Sequence, residues 1–271
     1  MEFMTAITAW AWALWVAAFL VLAVMEMRWA VRADAGAEGR LTTNFGLGLS
    51  GFAMAFVPIG AGVGAALAQS YGFGLFQWVA VPVAAMLVAT ILIRSFAFYW
   101  LHRLSHRFDP LWRLHRVHHS DAAVDLSTSV RNHPGEWLLS LGLATGVALL
   151  LGAPVELILS VELLFAVANL VSHVDLALPP RVERMLALLF VTPGFHLVHH
   201  SRERVRHDGH YGELLTLWDR LFGTLDRSGD RSGGAVGIGL DGWAERHHRL
   251  DGALLSPFAS GRADALEGRV S

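Results

Sequence analysis

The sequence predicts an all-α protein: an integral membrane helical bundle of three spans plus a membrane hairpin, topped by a cytoplasmic helical cap. Three observations predict it. Hydrophobic residues make up 54% of the 271 and charged residues 16%, against roughly 25% charged in soluble domains. Long uncharged runs have the length of membrane helices. Histidines recur three and four residues apart, the spacing of one helical face.

In chain order, Thr5 to Val24 is uncharged, carries Trp10, Trp12 and Trp15 near its start, and is followed by Glu26, Arg28 and Arg32. It is too long for a signal-peptide core and lacks a basic leader, so it reads as a retained first span. From Leu41 to Ile93 no residue is charged, and Gln69-Ser70-Tyr71-Gly72 interrupts the run. The second span is expected over Phe45–Ala68 and the third over Leu75–Ile93. Their glycines read as helix-packing features, because no phosphate-loop lysine accompanies them. The third helix should leave the membrane carrying His102 and His106, break at Asp109-Pro110, and restart over Leu111–His119. Trp137–Ala153 and Val155–Leu170, parted by Pro154, read as the hairpin. Tyr211–Leu225 has the pattern of an amphipathic helix at the membrane surface. Ser228–Gly239 reads as a linker, and the tail after Leu240 as polar and loosely held.

Arginines crowd segments 28–40, 103–116 and 181–206, while the 69–74 loop has none. With these spans, every arginine-rich segment falls on one side, as the positive-inside rule requires. The histidine clusters fall there with them, on the expected cytoplasmic face of a bacterial inner membrane.

The net charge of −2 offers no field for nucleic acid. The chain has no cysteine, which excludes disulfides, thiolate chemistry and cysteine-held clusters. Any metal must be held by nitrogen and oxygen, and any electrons must come from another protein.

His102, His106, His115, His118, His119, His196, His199 and His200 are the ligand candidates, with His173 at the end of the hairpin on the same side. Nine imidazoles exceed what one ion uses. Neighbours such as His118 and His119 point about 100° apart on a helix. A dinuclear, histidine-rich centre is the economical reading. His207 and His210 read as part of a polar loop, and His247 and His248 as a solvated pair.

YWLHRLSH at Tyr99–His106, LWRLHRVHHS at Leu111–Ser120, RNHPGE at Arg131–Glu136, TPGFHLVHHS at Thr192–Ser201 and YGELLTLWDRLFGT at Tyr211–Thr224 together resemble the fatty acid hydroxylase superfamily, or sterol desaturase family, of membrane di-iron oxygenases. The resemblance implies that the eight box histidines ligate metal and that His173 is the family's isolated histidine. It places His133 beside the metals or substrate. Three positions depart from the pattern: Ser95 where Asp is frequent, and Asp175 and His210 where Asn is usual. Asp175 could still orient an imidazole, and His210 could add a ligand.

The resemblance further implies two iron ions, with zinc possible, in a di-iron oxygenase domain over residues 1–227 whose histidine-box core is 96–224. Residues 228–271 form the glycine-rich linker and tail. The expected reaction is O2-dependent hydroxylation of a lipid C–H bond in a sterol, fatty acyl chain or related lipid. Desaturation at the same centre is the near alternative, and a membrane zinc protein a more distant one. The expected partners are a lipid, O2, the membrane, and a separate electron donor such as a cytochrome b5-like protein or a ferredoxin with its reductase. A metal transporter ranks last, since the three expected spans hold no ionisable residue.

Overall fold

The computed structural model describes residues 2–32, 38–54, 57–225, 237–240, 242–243 and 248–259. The regular secondary structure of the described residues is helical, with isolated β-bridges and no strand. Four helices are long and apolar enough to cross a membrane, over Trp10–Trp29, Val83–Arg107, Pro134–Leu151 and Val155–His173. The protein is a multi-pass membrane bundle.

The first span is α1 (Glu2–Trp29). The expected second span is instead two helices, α2 (Arg40–Met54) and α3 (Val57–Ser70), whose junction lies outside the described residues. Together they run from the histidine end of the bundle to its opposite end. There Gly74 meets Gly152 so closely that a Cβ on Gly74 would stand 2.6 Å from the Gly152 nitrogen.

The third span also departs from expectation. Leu75–Trp78 forms a short separate helix, α4, and the crossing helix α5 runs from Val83 to Arg107. Pro82 is the cause: proline disfavours a helical residue before it and cannot sit inside the helix. Starting later, α5 takes Arg94 into the bundle, so an ionisable residue does lie within a membrane-length helix. It is neutralised in place. Its guanidinium sits 3.5 Å from the centre of the Phe98 ring and 4.0 Å from that of Phe165. It also forks 3.4 Å from both carboxylate oxygens of Glu162 and pairs with Glu213.

Asp109 and Pro110 begin α6 (Asp109–His119). The hairpin is α7 (Pro134–Leu151) and α8 (Val155–His173), turned at Gly152, which takes the left-handed conformation with φ 62 that favours glycine. Ala61 and Ala65 of α3 share one buried cluster with Ala144 and Ala148 of α7. Small residues there let the helices approach closely.

At the histidine end, buried ion pairs replace apolar packing. The Glu26 carboxylate at the end of α1 accepts from the Leu126 and Asp175 backbone N–H groups, at 2.9 and 2.6 Å. Arg40 at the start of α2 binds Asp121 at 2.5 Å and Asp125 at 2.6 Å. Arg32 and Arg40, between α1 and α2, thus both bind acidic residues close to the histidine boxes.

Two expectations for the C-terminal third are corrected. Only Leu217–Leu221 is helical in the stretch predicted as an amphipathic helix. Residues before it are drawn out by backbone bonds from Val191 to Leu214 and from Thr216 to Leu189. The Asp219 carboxylate also accepts from the Tyr211 and Gly212 N–H groups. The expected linker lies mostly outside the described residues, but the described residues of the tail are packed rather than loose. Leu240 and Trp243 are buried against Trp112. The helix Leu250–Leu255 packs on Leu47 and Val117, and Arg116 binds the Ser256 carbonyl at 2.6 Å. His248 is half-buried rather than solvated, and its carbonyl accepts from Thr43; His247 lies outside the described residues.

Candidate metal centre

The histidine boxes are helical, and their geometry follows from their spacing. His102 and His106 share a face at the end of α5, and His115, His118 and His119 ride α6. The third box forms a short helix, Pro193–His199, capped where the Thr192 hydroxyl accepts from the Phe195 N–H, with His200 just beyond its end. His173 is the last residue of α8.

These elements converge so that nine imidazoles separate into two groups. His102, His106, His115, His119 and His199 form the first; His118, His173, His196 and His200 form the second. Within each group the potential ligand atoms lie within 4.8 Å of one another. The adjacent pairs divide: His118 and His119 go to different groups, and so do His199 and His200.

Several Nε2 atoms stand face to face. The separations are 3.1 Å for His115–His119, 3.2 Å for His118–His173, 3.1 Å for His173–His196 and 3.1 Å for His196–His200. Donors around one ion bound at about 2.1 Å are spaced that way. The Nε2 atoms of His102, His106 and His199 are buried with no hydrogen-bond partner among the described residues. Converging unpaired nitrogens in a closed pocket fit a metal ion, and the histidine clusters can bind one.

Behind the Nε2 atoms, several of the other ring nitrogens are held, while Nδ1 of His106, His196 and His200 has no hydrogen-bond partner among the described residues. His102 Nδ1 donates to the Tyr211 carbonyl at 2.9 Å, and His199 Nδ1 to that of Gly209 at 2.7 Å. His118 Nδ1 donates to the Arg131 carbonyl at 3.2 Å, and His173 Nδ1 to that of Asn169 at 2.8 Å. His115 Nδ1 meets the Glu136 carboxylate at 2.6 Å, and His106 Nδ1 lies 3.5 Å from Asp208. A proton fixed on Nδ1 leaves the Nε2 lone pair facing inward. Burial, and then the neighbouring imidazoles, hold His118, His119, His196, His199 and His200 well below the ordinary histidine range. The rings are therefore neutral at pH 7, the form a metal requires.

The other candidates fall outside both groups. His133 caps α7: its Nδ1 accepts from the Gly135 N–H at 3.0 Å and its Nε2 donates to the Leu254 carbonyl at 3.2 Å. Asp175 does not orient an imidazole; its carboxylate is bound by the Arg32 side chain and backbone N–H. His210 takes a left-handed φ of 59 and packs on Phe195 with its Nδ1 on the Phe195 carbonyl. Asn is favoured in that conformation, so the usual Asn and this His answer one backbone demand. His207 is buried, stacked on Trp112.

Sequence reasoning missed the polar scaffold beneath the second group. Arg131 is fully buried, binds Asn44 and the Val117 carbonyl, and presents its own carbonyl to His118. Asn44 in turn binds Asp121, the partner of Arg40. The signal available was a set of charged and amide residues standing alone beside apolar helices.

A cavity of about 280 Å3 borders the centre. His102, His115, His118, His173 and His196 line it, and Trp12, Trp15, Leu159, Leu163 and Phe165 supply much of its apolar wall.

A family model described as fatty acid hydroxylase matches residues 87–224. Ornithine lipid hydroxylase of Rhizobium tropici is 34% identical over 164 residues, 60% of this chain and 47% of that protein. Alkylglycerol monooxygenase of Danio rerio is 34% identical over 137 residues, 49% of this chain and 29% of that protein. Methylsterol monooxygenase 2-2 of Arabidopsis thaliana is 31% identical over 160 residues, 59% and 58% of the two chains. The chain thus spans less than half the length of the first two relatives. No solved structure matches it.

Proposed function

The chain belongs to the fatty acid hydroxylase family, and from that premise we propose that it uses O2 to hydroxylate a C–H bond of a membrane lipid at a histidine-held pair of iron ions. The single observation that carries this reading is the convergence of nine imidazoles in two groups beside an apolar cavity. One C–H bond and one O2 molecule, with two electrons and two protons, give one alcohol and one water. Bound iron would supply the activation of O2 and the oxidation of the C–H bond.

The protein's own part is positional. Carbonyls of Tyr211, Gly209, Arg131 and Asn169 fix the ring tautomers. Burial of the boxes keeps water from the reacting carbon. Trp12, Trp15, Leu159 and Leu163 form a wall along which an aliphatic chain can lie. The electrons come from a separate protein of cytochrome b5 or ferredoxin type, since a chain without cysteine has no thiolates for a cluster of its own. The arginine-flanked histidine end faces the cytoplasm of a bacterial inner membrane, which puts it within reach of such a donor.

The test is metal analysis of anaerobically purified protein, followed by lipid analysis of a host carrying the wild type or His118→Ala. Two irons per chain and a lipid heavier by one oxygen, absent with the variant, are expected. A lipid lighter by two hydrogens would convert the reading to desaturation. Zinc at full occupancy, with no oxygen-dependent product after iron loading, would overturn it.

A further inference from the structure

Two adjacent residues at the start of α7 depart from the rule that buried polar atoms are paired. Trp137 Nε1 and Glu136 Oε2 are buried with no hydrogen-bond partner among the described residues. Both side chains line the cavity. The other carboxylate oxygen of Glu136 is committed, at 2.6 Å from His115 Nδ1. This carboxylate therefore reaches from the first histidine group to the cavity, leaving one oxygen free to accept.

The indole is held in place by what α2 lacks. A Cβ on Gly51 would stand 2.1 Å from Trp137 Nε1 and 2.2 Å from its Cδ1. The ring edge occupies the notch left by that missing side chain. Gly51, read from sequence as a packing feature, sets the position of a hydrogen-bond donor at the cavity. Beyond this pair, Leu139, Leu159, Leu163 and Phe165 continue the lining as apolar wall. One free donor and one free acceptor, on consecutive residues of α7, thus line the same largely apolar cavity as the histidines. A plain hydrocarbon would leave both unmatched, which is costly for buried groups.

We propose that Trp137 and Glu136 form a polar clasp for a lipid that carries a hydroxyl or secondary amide close to the carbon being oxidised. The indole N–H donates to the oxygen of that group, and Glu136 Oε2 accepts its O–H or N–H. The clasp rests on the proposed lipid oxidation and narrows it: the reacting carbon lies near the polar end of the lipid, not in mid-chain.

Binding separates the clasp from catalysis. Metal-loaded full-length protein, kept anaerobic in one detergent, is titrated with hexadecan-1-ol and with hexadecane by displacement of a spin-labelled alkyl chain. The alcohol should bind at least about tenfold tighter than the alkane. Trp137→Phe keeps the ring and removes the N–H; it should weaken the alcohol about fivefold, the worth of one hydrogen bond, and leave the alkane unchanged. Gly51→Ala, which evicts the indole from its notch, should do the same with metal content unaltered. Equal affinity of the two probes for the wild type would overturn the clasp, as would a Trp137→Phe effect of the same size on both. Intact discrimination in a protein that oxidises no lipid in air would overturn the proposed reaction and leave the clasp standing.

Discussion

The two histidine groups use the same side chain, yet they are supported in opposite ways. The second group draws its support from helices and a buried ion network: Arg131 and Asn169 supply the carbonyls, and Asn44, Asp121 and Arg40 lock Arg131. The first group leans mainly on a non-helical strap, with Glu136 of α7 holding only His115. Gly209 and Tyr211 give carbonyls to His199 and His102, and Asp208 stands beside His106. The strap is itself shaped by Asp219, whose carboxylate accepts from Tyr211, Gly212 and Thr224. One half of the centre is built into the bundle; the other is strapped on.

The largest effects should come from the ligands. His119→Ala and His118→Ala are each expected to lose about one metal ion per chain and to cut product formation more than ~100-fold, since outer contacts alone are worth 10–100-fold. Metal analysis of the purified variants checks this. Loss of both ions from both variants would mean that the groups act as one unit.

Removing the supports should sharpen the contrast. Asp219→Ala frees the strap and is expected to weaken metal binding by the first group 10–100-fold while sparing the second, measured by chelator competition. Arg131→Met should do the converse and also unfold more easily, by roughly 3–5 kcal/mol, because it leaves buried polar partners unpaired. A denaturant midpoint measures that. Equal losses from both groups in either variant would break the distinction.

Acid offers a third probe. The buried imidazoles outside the spans titrate well below 6.5, so on acidification the unfolded chain takes up protons before the folded one does. The stability they contribute is fully present above pH 6.5. Below it, stability should fall by up to about 1.4 kcal/mol per pH unit for each group. Metal-free protein melted across pH 5–7 should show this slope, and the metal-loaded form should resist to lower pH.

The smallest effect separates two kinds of histidine. His210→Asn should leave metal content and melting temperature nearly unchanged. His210→Val should destabilise by about 1–2 kcal/mol, through backbone strain at a positive φ.

The boxes were legible because i, i+3 and i+4 spacing survives any tertiary arrangement, and the first span and the hairpin because apolar length alone identifies them; the second and third spans were misdrawn where α2 gives way to α3 and where Pro82 delays the start of α5. The strap was not. Leu214, Leu217, Leu221 and Phe222 mimic helical periodicity, while the determinants of the real conformation, backbone N–H groups on Asp219 and a bridge between Phe190 and Leu215, leave no periodic trace. The Arg40–Asp121–Asn44–Arg131 scaffold was equally hidden, since its members are spread over 92 positions, 40 to 131, and meet only in three dimensions. The tail misled through its polar composition, which conceals Leu240, Trp243 and Ala253 in buried contacts.

The seating of the tail also sets an order of events during synthesis. Each histidine group draws on residues before 120 and after 195, and Arg116 and His133 reach across to Ser256 and Leu254. A ribosome-bound chain that has inserted α1, α5 and the hairpin still possesses neither group. Both groups are therefore assembled only after the spanning helices are made, so any ion they hold would be taken up late, once the C-terminal third has folded.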